Sequence, residues 1–522
     1  VVCHGGDPSE EKDAAKAHSA APAGSALDTF VLHSASVWVN EKICGQCHKE
    51  WVYAQYRSIM QTEAGKIQGA IWGWGPAGTG YAKKYGNYDV DDPDGPAPVF
   101  GTQKYKEYTQ ALMNKYPDNF PAKLTQVPKT NLSELKEKPY TAIFTYLRTD
   151  CQRCHVGVKG RDKRGDFRGM GCAACHIPYN NAGLYEGGDQ TVKRDEKGHA
   201  MVHSIQSTRK TKVVVNDLVY SGIPHETCVS CHNRGKRIGV SFQGLMEFPY
   251  GSPFSADGKK QPKLHTKVYQ YIKDDVHHQL KSREGNPEGG LLCQDCHTTT
   301  SMHGNGNITG TLLANVEIEC SDCHGTANQY PWELPLGWGD EFDQDLSSAR
   351  PRGTTAELLV NQSKFATTYS GKDGYLLTAR GNPFGNVVRQ GDKVMVHSAG
   401  GLDFEVPTLK SIHLQDKWQN RDAAIAAKIT TSEHLQKIEC YACHSSWAPQ
   451  CYGCHVKVDF SGDKRATDWV AAGNTHFANG HTAESWRRVK PPQAAGVAFG
   501  KTAENRSYLR WEDPVLGING EG

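Results

Sequence analysis

Eight pentapeptides of the form Cys-x-x-Cys-His constrain this 522-residue chain more than any other feature. They are Cys44-Gly-Gln-Cys47-His48, Cys151-Gln-Arg-Cys154-His155, Cys172-Ala-Ala-Cys175-His176, Cys228-Val-Ser-Cys231-His232, Cys293-Gln-Asp-Cys296-His297, Cys320-Ser-Asp-Cys323-His324, Cys440-Tyr-Ala-Cys443-His444 and Cys451-Tyr-Gly-Cys454-His455. Random placement of the 17 Cys and 23 His would yield only about 0.03 such pentapeptides. The opening Val1-Val2-Cys3-His4 reads as the tail of a ninth, whose first cysteine would lie one residue upstream. All 17 cysteines then belong to one kind of motif.

The spacing suits one chemistry best. Two thiols three positions apart can each add to a vinyl group of a haem, and the next histidine reaches the iron as proximal ligand. Zinc ribbons share Cys-x-x-Cys but do not need a histidine directly after it, eight times over. A disulfide within each pair would close too short a loop to constrain the chain, and a thioredoxin-like dithiol would be used once. The expected cofactor is therefore haem c (heme c), at eight complete motifs plus the truncated one. Its thioethers come from Cys3, Cys44, Cys47, Cys151, Cys154, Cys172, Cys175, Cys228, Cys231, Cys293, Cys296, Cys320, Cys323, Cys440, Cys443, Cys451 and Cys454. The proximal ligands are His4, His48, His155, His176, His232, His297, His324, His444 and His455.

Composition agrees with a haem-filled interior. Only 38% of residues are hydrophobic and mean hydropathy is −0.61, lean for side chains alone to fill a chain this long. Nine haems would leave about 58 residues each, so most of the chain must lie close to a macrocycle. A net charge of +2 gives no reason to expect nucleic-acid binding. No apolar run is long enough to span a membrane.

Fourteen histidines remain for the distal positions: His18, His33, His199, His203, His225, His265, His277, His278, His303, His397, His413, His434, His476 and His481. The first choices, near motifs or at helix-compatible spacing, are His18, His33, His203, His225, His277, His413 and His434. The alternative for any one of them is a surface or turn histidine. The distinction matters because an iron with two histidines only exchanges electrons, whereas an open iron can bind a substrate.

Motif spacing divides the chain into a main multihaem domain at 1–330, a loop-rich and β-containing insertion at 331–412, and a C-terminal two-haem segment with an irregular tail at 413–522. The expected fold is mainly α with long irregular loops wrapped around a haem core. A small β meander is expected near 375–410, where Gly-Asn, Gly-Asp and Gly-Gly turn signals separate short apolar runs. Helices are expected over Lys263 to Lys281 and Asp416 to Lys437, and loops over Gly69 to Gly101 and Leu334 to Gly353. The acidic run from Asp89 to Gly95 reads as a turn, since proline breaks the alternation of a calcium loop. The C-terminus at Gly522 reads as an internal cut, leaving further domains or an anchor beyond it open.

Cys44-Gly-Gln-Cys-His-Lys-Glu-Trp51 with Arg57-Ser58, Asp275-Val-His277 ahead of Cys293-Gln-Asp-Cys-His-Thr-Thr, and the closely spaced motifs resemble the octahaem cytochromes related to hydroxylamine oxidoreductase and tetrathionate reductase. The segment from Cys440 to His455 resembles large multihaem cytochromes of anaerobic and metal-respiring bacteria. This implies haems in stacked and perpendicular pairs, a periplasmic or extracellular location, and redox partner proteins such as quinol-linked or outer-surface cytochromes. The function expected is electron conduction in anaerobic respiration. Two alternatives are an oxidoreductase of small nitrogen or sulfur compounds at one open haem, and a homo-oligomeric subunit of an extracellular filament. The sequence departs from the resemblance where relatives supply Ser-x-His, reading Ser58-Ile59-Met60, and it contains no Cys-x-x-Cys-Lys. Met60 reads as core filler, as an axial ligand, or as the mark of a neighbouring open iron.

Overall fold

The computed structural model describes residues 36–68, 84–129 apart from 94, 96 and 97, 171–176, 211–215, 218–223, 242–247, 263–264, 267–271, 274–283, 290–340, 350–355, 373–399 and 402–429, with isolated positions 131, 133, 144, 147, 148, 157, 228, 232 and 440. The most extensive sheet among them is antiparallel, in the order β13-β12-β11-β10-β9. Its strands are β9 (Thr354–Thr355), β10 (Gly374–Leu377), β11 (Pro383–Gln390), β12 (Lys393–His397) and β13 (Asp403–Val406). Strands β10 to β13 occupy the stretch where turn signals pointed to a meander, and β9 joins them from outside it. Period-two alternation sets their faces: Val394 and Val396 are buried, while Lys393 is exposed and Met395 is half-buried. Lys393 forms a cross-strand ion pair with Glu405 and His397 Nδ1 a hydrogen bond with Asp403, each at 2.7 Å.

The buried face covers two of the cysteine motifs. Leu376, Phe384, Val387, Val394 and Val396 pack with Leu291, Tyr330 and Trp332, and Leu280, Ile318 and Cys323 close the cluster. Each such side chain removed from water contributes roughly 1.5–3 kcal/mol. The sheet therefore shares one core with residues 291–332.

The N-terminal part is helical. A 3-10 helix at Val37–Lys42 leads into α1 (Lys49–Arg57) and α2 (Ile59–Thr62), the latter capped by Ser58, whose hydroxyl accepts from the Gln61 N–H at 3.3 Å. A small sheet joins β1 (Tyr85–Gly86), β2 (Val90–Asp91) and β3 (Lys123–Gln126) in the order β1-β3-β2. Between β2 and β3 lies α3 (Gln103–Lys115), capped by Thr102. Thr102 also donates its hydroxyl to the Gly381 carbonyl at 2.8 Å, which docks the helix on the β10–β11 turn. Beside it the buried Arg380 pairs with Asp340 at 3.0 Å and donates to the Ala314 carbonyl at 2.7 Å. The acidic run turns to separate partners: Asp89 accepts from the Gln126 N–H, Asp91 pairs with Lys123 and Asp92 with Arg57.

Two helix expectations need correction. Residues 263–264 and 267–271 form β7 (Lys263–Leu264) and β8 (Lys267–Tyr271), which pair with β6 (Leu245–Glu247) in the order β6-β8-β7, and β4 (Thr211–Val215) pairs with β5 (Leu218–Gly222) as a separate antiparallel hairpin. Lys267-Val-Tyr-Gln-Tyr271 is rich in β-branched and aromatic residues, a strand preference that outweighs the surrounding helix formers. Helix begins only after Asp275, as α5 (Val276–Arg283). Downstream, helix begins at Arg421 rather than Asp416, because Asp416 takes a φ of +50°; residues 430–437 lie outside the described part. Among the described residues no helix is long and apolar enough to cross a membrane.

Candidate metal centres

Among the described residues, the motifs at Cys44, Cys172, Cys293 and Cys320 each form about one helical turn. In four motifs the histidine N–H donates to the carbonyl of the first cysteine: His48 to Cys44 at 2.8 Å, His232 to Cys228 at 2.9 Å, His297 to Cys293 at 2.9 Å and His324 to Cys320 at 3.0 Å. The segment Cys172–His176 is likewise helical, as α4. Positions i, i+3 and i+4 share one face of a helix, so both thiols and the imidazole project to the same side. This is the physical content of the spacing.

Two motifs are fastened to the sheet by the residue before their second cysteine. In α6 (Cys293–Cys296), Asp295 accepts from the N–H groups of Leu292 at 2.6 Å and Ala399 at 2.8 Å, and from the Asn386 amide at 2.7 Å. In α8 (Ser321–His324), Asp322 accepts from the N–H groups of Glu319 at 2.9 Å and Ala379 at 3.0 Å, and pairs with the buried Arg352. Each Asp thus closes its own turn and ties it to the strands.

Histidines from outside the motifs stand opposite those within. The rings of His176 and His303 have centroids 6.0 Å apart with 18° between their planes, and those of His324 and His277 lie 6.2 Å apart at 57°. Two imidazoles on opposite sides of one metal ion, each with a nitrogen about 2 Å from it, hold their centroids about 6 Å apart. Ordinary ring contacts span about 4.5–7 Å as well. Each pair joins a motif histidine to a non-motif histidine, across 127 residues (176 to 303) and 47 residues (277 to 324), the pairing that a proximal and a distal ligand would need.

His303 ends α7 (Thr299–His303), whose cap Thr298 and whose Thr300 both donate to the buried Glu317 carboxylate. Gly304 follows with φ +84°, and a Cβ there would stand 2.9 Å from the Ala54 carbonyl oxygen and 3.0 Å from Ser58 Cβ. Only glycine lets α7 lie this close to α1. Trp51 of α1 stacks on Phe100 at 4.6 Å and stands 5.5 Å from the His303 ring. The Nδ1 of His303 lies 3.1 Å from the Thr299 carbonyl.

His277 is held differently. Asp275 caps α5 by accepting from the His277 N–H at 2.9 Å, and the same oxygen accepts from His277 Nδ1 at 2.7 Å. That bond leaves Nε2 as the nitrogen that a metal would take. Across from it, His324 Nδ1 donates to the Pro407 carbonyl at 2.9 Å. The neighbouring His278 uses its own acid, Asp274, at 2.7 Å.

His176, Cys296 and His297 carry exposed surface, yet the protein atoms packed around them lower the pKa of His176 and His297 and push the Cys296 thiol up to about 12, helped by Asp295 and Asp275. Burial lowers His303 too, so all three imidazoles favour the neutral form that ligates a metal. Thiols of different motifs also meet. The Cys44 and Cys172 thiols share a hydrogen bond that brings Cys44 down to about 7 and raises Cys172, and a similar bond between Cys320 and Cys440 brings Cys440 down to about 7 and raises Cys320. The Asn40 amide lies 3.3 Å from Cys172 Sγ.

The donor set fits a covalently held porphyrin iron, with two thiols one turn from an imidazole and a second imidazole opposite. Among the described residues no group of three or more His, Cys, Asp or Glu side chains converges on a bare ion; a porphyrin supplies its own equatorial nitrogens and asks the chain for the axial pair alone. The described cysteines are free thiols. Of the residues singled out from the sequence, Cys3, His4, His18, His33, Cys151, Cys154, His155, His203, His225, Cys231, His434, Cys443, His444, Cys451, Cys454 and His455 lie outside the described part. His413 sits half-buried with its ring 6.2 Å from Trp418, and Met60 is half-buried on α2. His303 was not among the first choices, and its signal is faint: the last position of a Thr-capped turn, ahead of a glycine. Comparison with protein-family models, with curated proteins and with solved structures gives no match for this chain.

Proposed function

We propose that this chain is an exported multihaem c-type cytochrome that conducts electrons through about nine covalently attached haems. The observation that carries this reading is the facing of motif and non-motif histidines, His176 with His303 and His324 with His277, at 6.0 and 6.2 Å. A haem bound there exchanges a single electron at its iron, and two histidines leave that iron no position for a substrate. The chain's part would be to hold both axial nitrogens and to supply the thioether sulfurs from the helical turn that carries the proximal histidine. Contact between Cys44 and Cys172, and between Cys320 and Cys440, would set neighbouring macrocycles edge to edge. Redox partner proteins on the outer side of the cytoplasmic membrane would load and unload the chain of haems.

The test is stoichiometry. A pyridine haemochrome assay with intact mass on the natively matured protein should give about nine haems per chain, and about seven or fewer would refute the reading. Haem c is attached outside the cytoplasm, so holoprotein recovered from the cytoplasmic fraction would refute the proposed location.

A further inference from the structure

The two facing histidine pairs differ in what stands behind the distal ligand. His303 Nδ1 meets a neutral acceptor, the Thr299 carbonyl, at 3.1 Å. His277 Nδ1 meets the Asp275 carboxylate at 2.7 Å, and that side chain is only 3% exposed. A hydrogen bond to a carboxylate is about twice as strong as one to a neutral oxygen, and away from water its charge is weakly screened. Partners behind a metal-bound histidine fix its tautomer and make it a stronger donor to the metal.

We infer that Asp275 is a positioning residue that presents His277 Nε2 to the metal and holds the iron between His277 and His324 at a lower reduction potential than the iron between His176 and His303. The inference rests on the cytochrome reading. A negative charge behind the ligand favours the ferric state, which carries one more positive charge than the ferrous state. Removing the charge therefore favours reduction. Asp275 also has a structural task, since it caps α5, and the two tasks separate by substitution. Asparagine caps as well as aspartate but carries no charge.

The experiment is a spectroelectrochemical titration of the full, haem-loaded chain, wild type against Asp275→Asn. One component, about one-ninth of the haem absorbance, should become about tenfold easier to reduce, a rise of about 59 mV. The component is assigned as the one that His277→Ala converts to high spin. Asp274→Asn, which touches only the acid behind His278, should leave that component in place. If Asp275→Asn does not assemble its haems, Asp275→Ser replaces it, serine being a competent cap. A full haem complement with no component moved would make Asp275 a helix cap alone and overturn the inference. Absence of haem from the wild-type protein would overturn the cytochrome reading, and this inference with it.

Discussion

Replacing His303 with alanine gives the sharpest test of the histidine pairs. The structure sets the expected size. His303 faces His176 and no part of the His277–His324 pair, so its loss should open one axial position on one iron and leave His176 bonded. That iron should turn from low-spin to high-spin ferric, about one-ninth of the total if nine haems are bound. The cost in stability should be small, since the side chain is half-buried and its ring makes one hydrogen bond to a backbone carbonyl, worth about 1 kcal/mol. His277→Ala should open a different iron, and because the two pairs share no residue their effects should add, giving about two-ninths high-spin iron in the double variant. The measurement is EPR of the oxidised protein, quantified against total haem, with wild type as baseline. Nitrite or sulfite should perturb the newly opened centres. A His303→Ala protein that keeps its haems and stays wholly low-spin would show that the two rings merely pack together. A double variant no different from either single variant would show that both histidines serve one iron, and the reasoning from ring spacing would fall.

Two further outcomes follow from the same geometry. Asp322→Ala leaves the Arg352 guanidinium, 1% exposed, buried without its carboxylate; it should lower unfolding stability by about 3–5 kcal/mol in chemical denaturation, and a loss under about 1 kcal/mol would mean the pair does not anchor the Cys320–His324 turn. The lowered pKa values of His176, His297 and His303 mean that the folded chain binds fewer protons than the unfolded chain. Their stabilising contribution is then complete above the ordinary histidine value of about 6.5 and is lost as pH falls through that value toward the lower folded ones. Denaturation midpoints measured from about pH 8 to pH 5 should fall toward acid, and a rise would reverse the assignment of these imidazoles as neutral.

What could be read from the sequence follows the range of the interactions involved. Cysteine and proximal histidine lie within one helical turn, so residue spacing alone predicts a shared face, and Cys44–His48, Cys293–His297 and Cys320–His324 all carry the bond that makes it so. Strands β10 to β13 were legible because Gly-Asn and Gly-Asp turns punctuate them. The distal ligands are another matter. His277 stood out because an acid precedes it and a motif follows, but His303 sits on a helix too short to show any period, and its partner is 127 residues away (176 to 303). The roles of Asp295 and Asp322 were hidden for the same reason: they fill variable positions of the motif, and the strands that need them come far later in the chain. The strands at 263–264 and 267–271 were misread because lysine and glutamine raised helix propensity on average, while the β-branched Val268 and the aromatic Tyr269 and Tyr271 favoured a strand.

The segment from Cys293 to His303 ties these observations together. Its first half would offer two thiols and His297 to one iron, and its last residue faces His176, which belongs to another motif. Thr298 and Thr300 bind the link between them to Glu317, Glu317 is held in turn by Thr378 at 3.1 Å, and Gly304 fixes its exit against Ala54. Eleven residues (293 to 303) bridging two centres through buried hydrogen bonds leave little room for their separation to vary. Electron transfer depends steeply on distance and needs no motion of the chain, so on the cytochrome reading rigidity at this link is what a conduit requires. A substrate-processing centre calls for the opposite arrangement, an axial position kept open and a loop able to admit and release a ligand. Opposite His176 and His324 stand histidines held from behind, His303 by a backbone carbonyl and His277 by a buried carboxylate. On the cytochrome reading, the polar groups at both places would serve to fix an electron carrier rather than to admit a substrate.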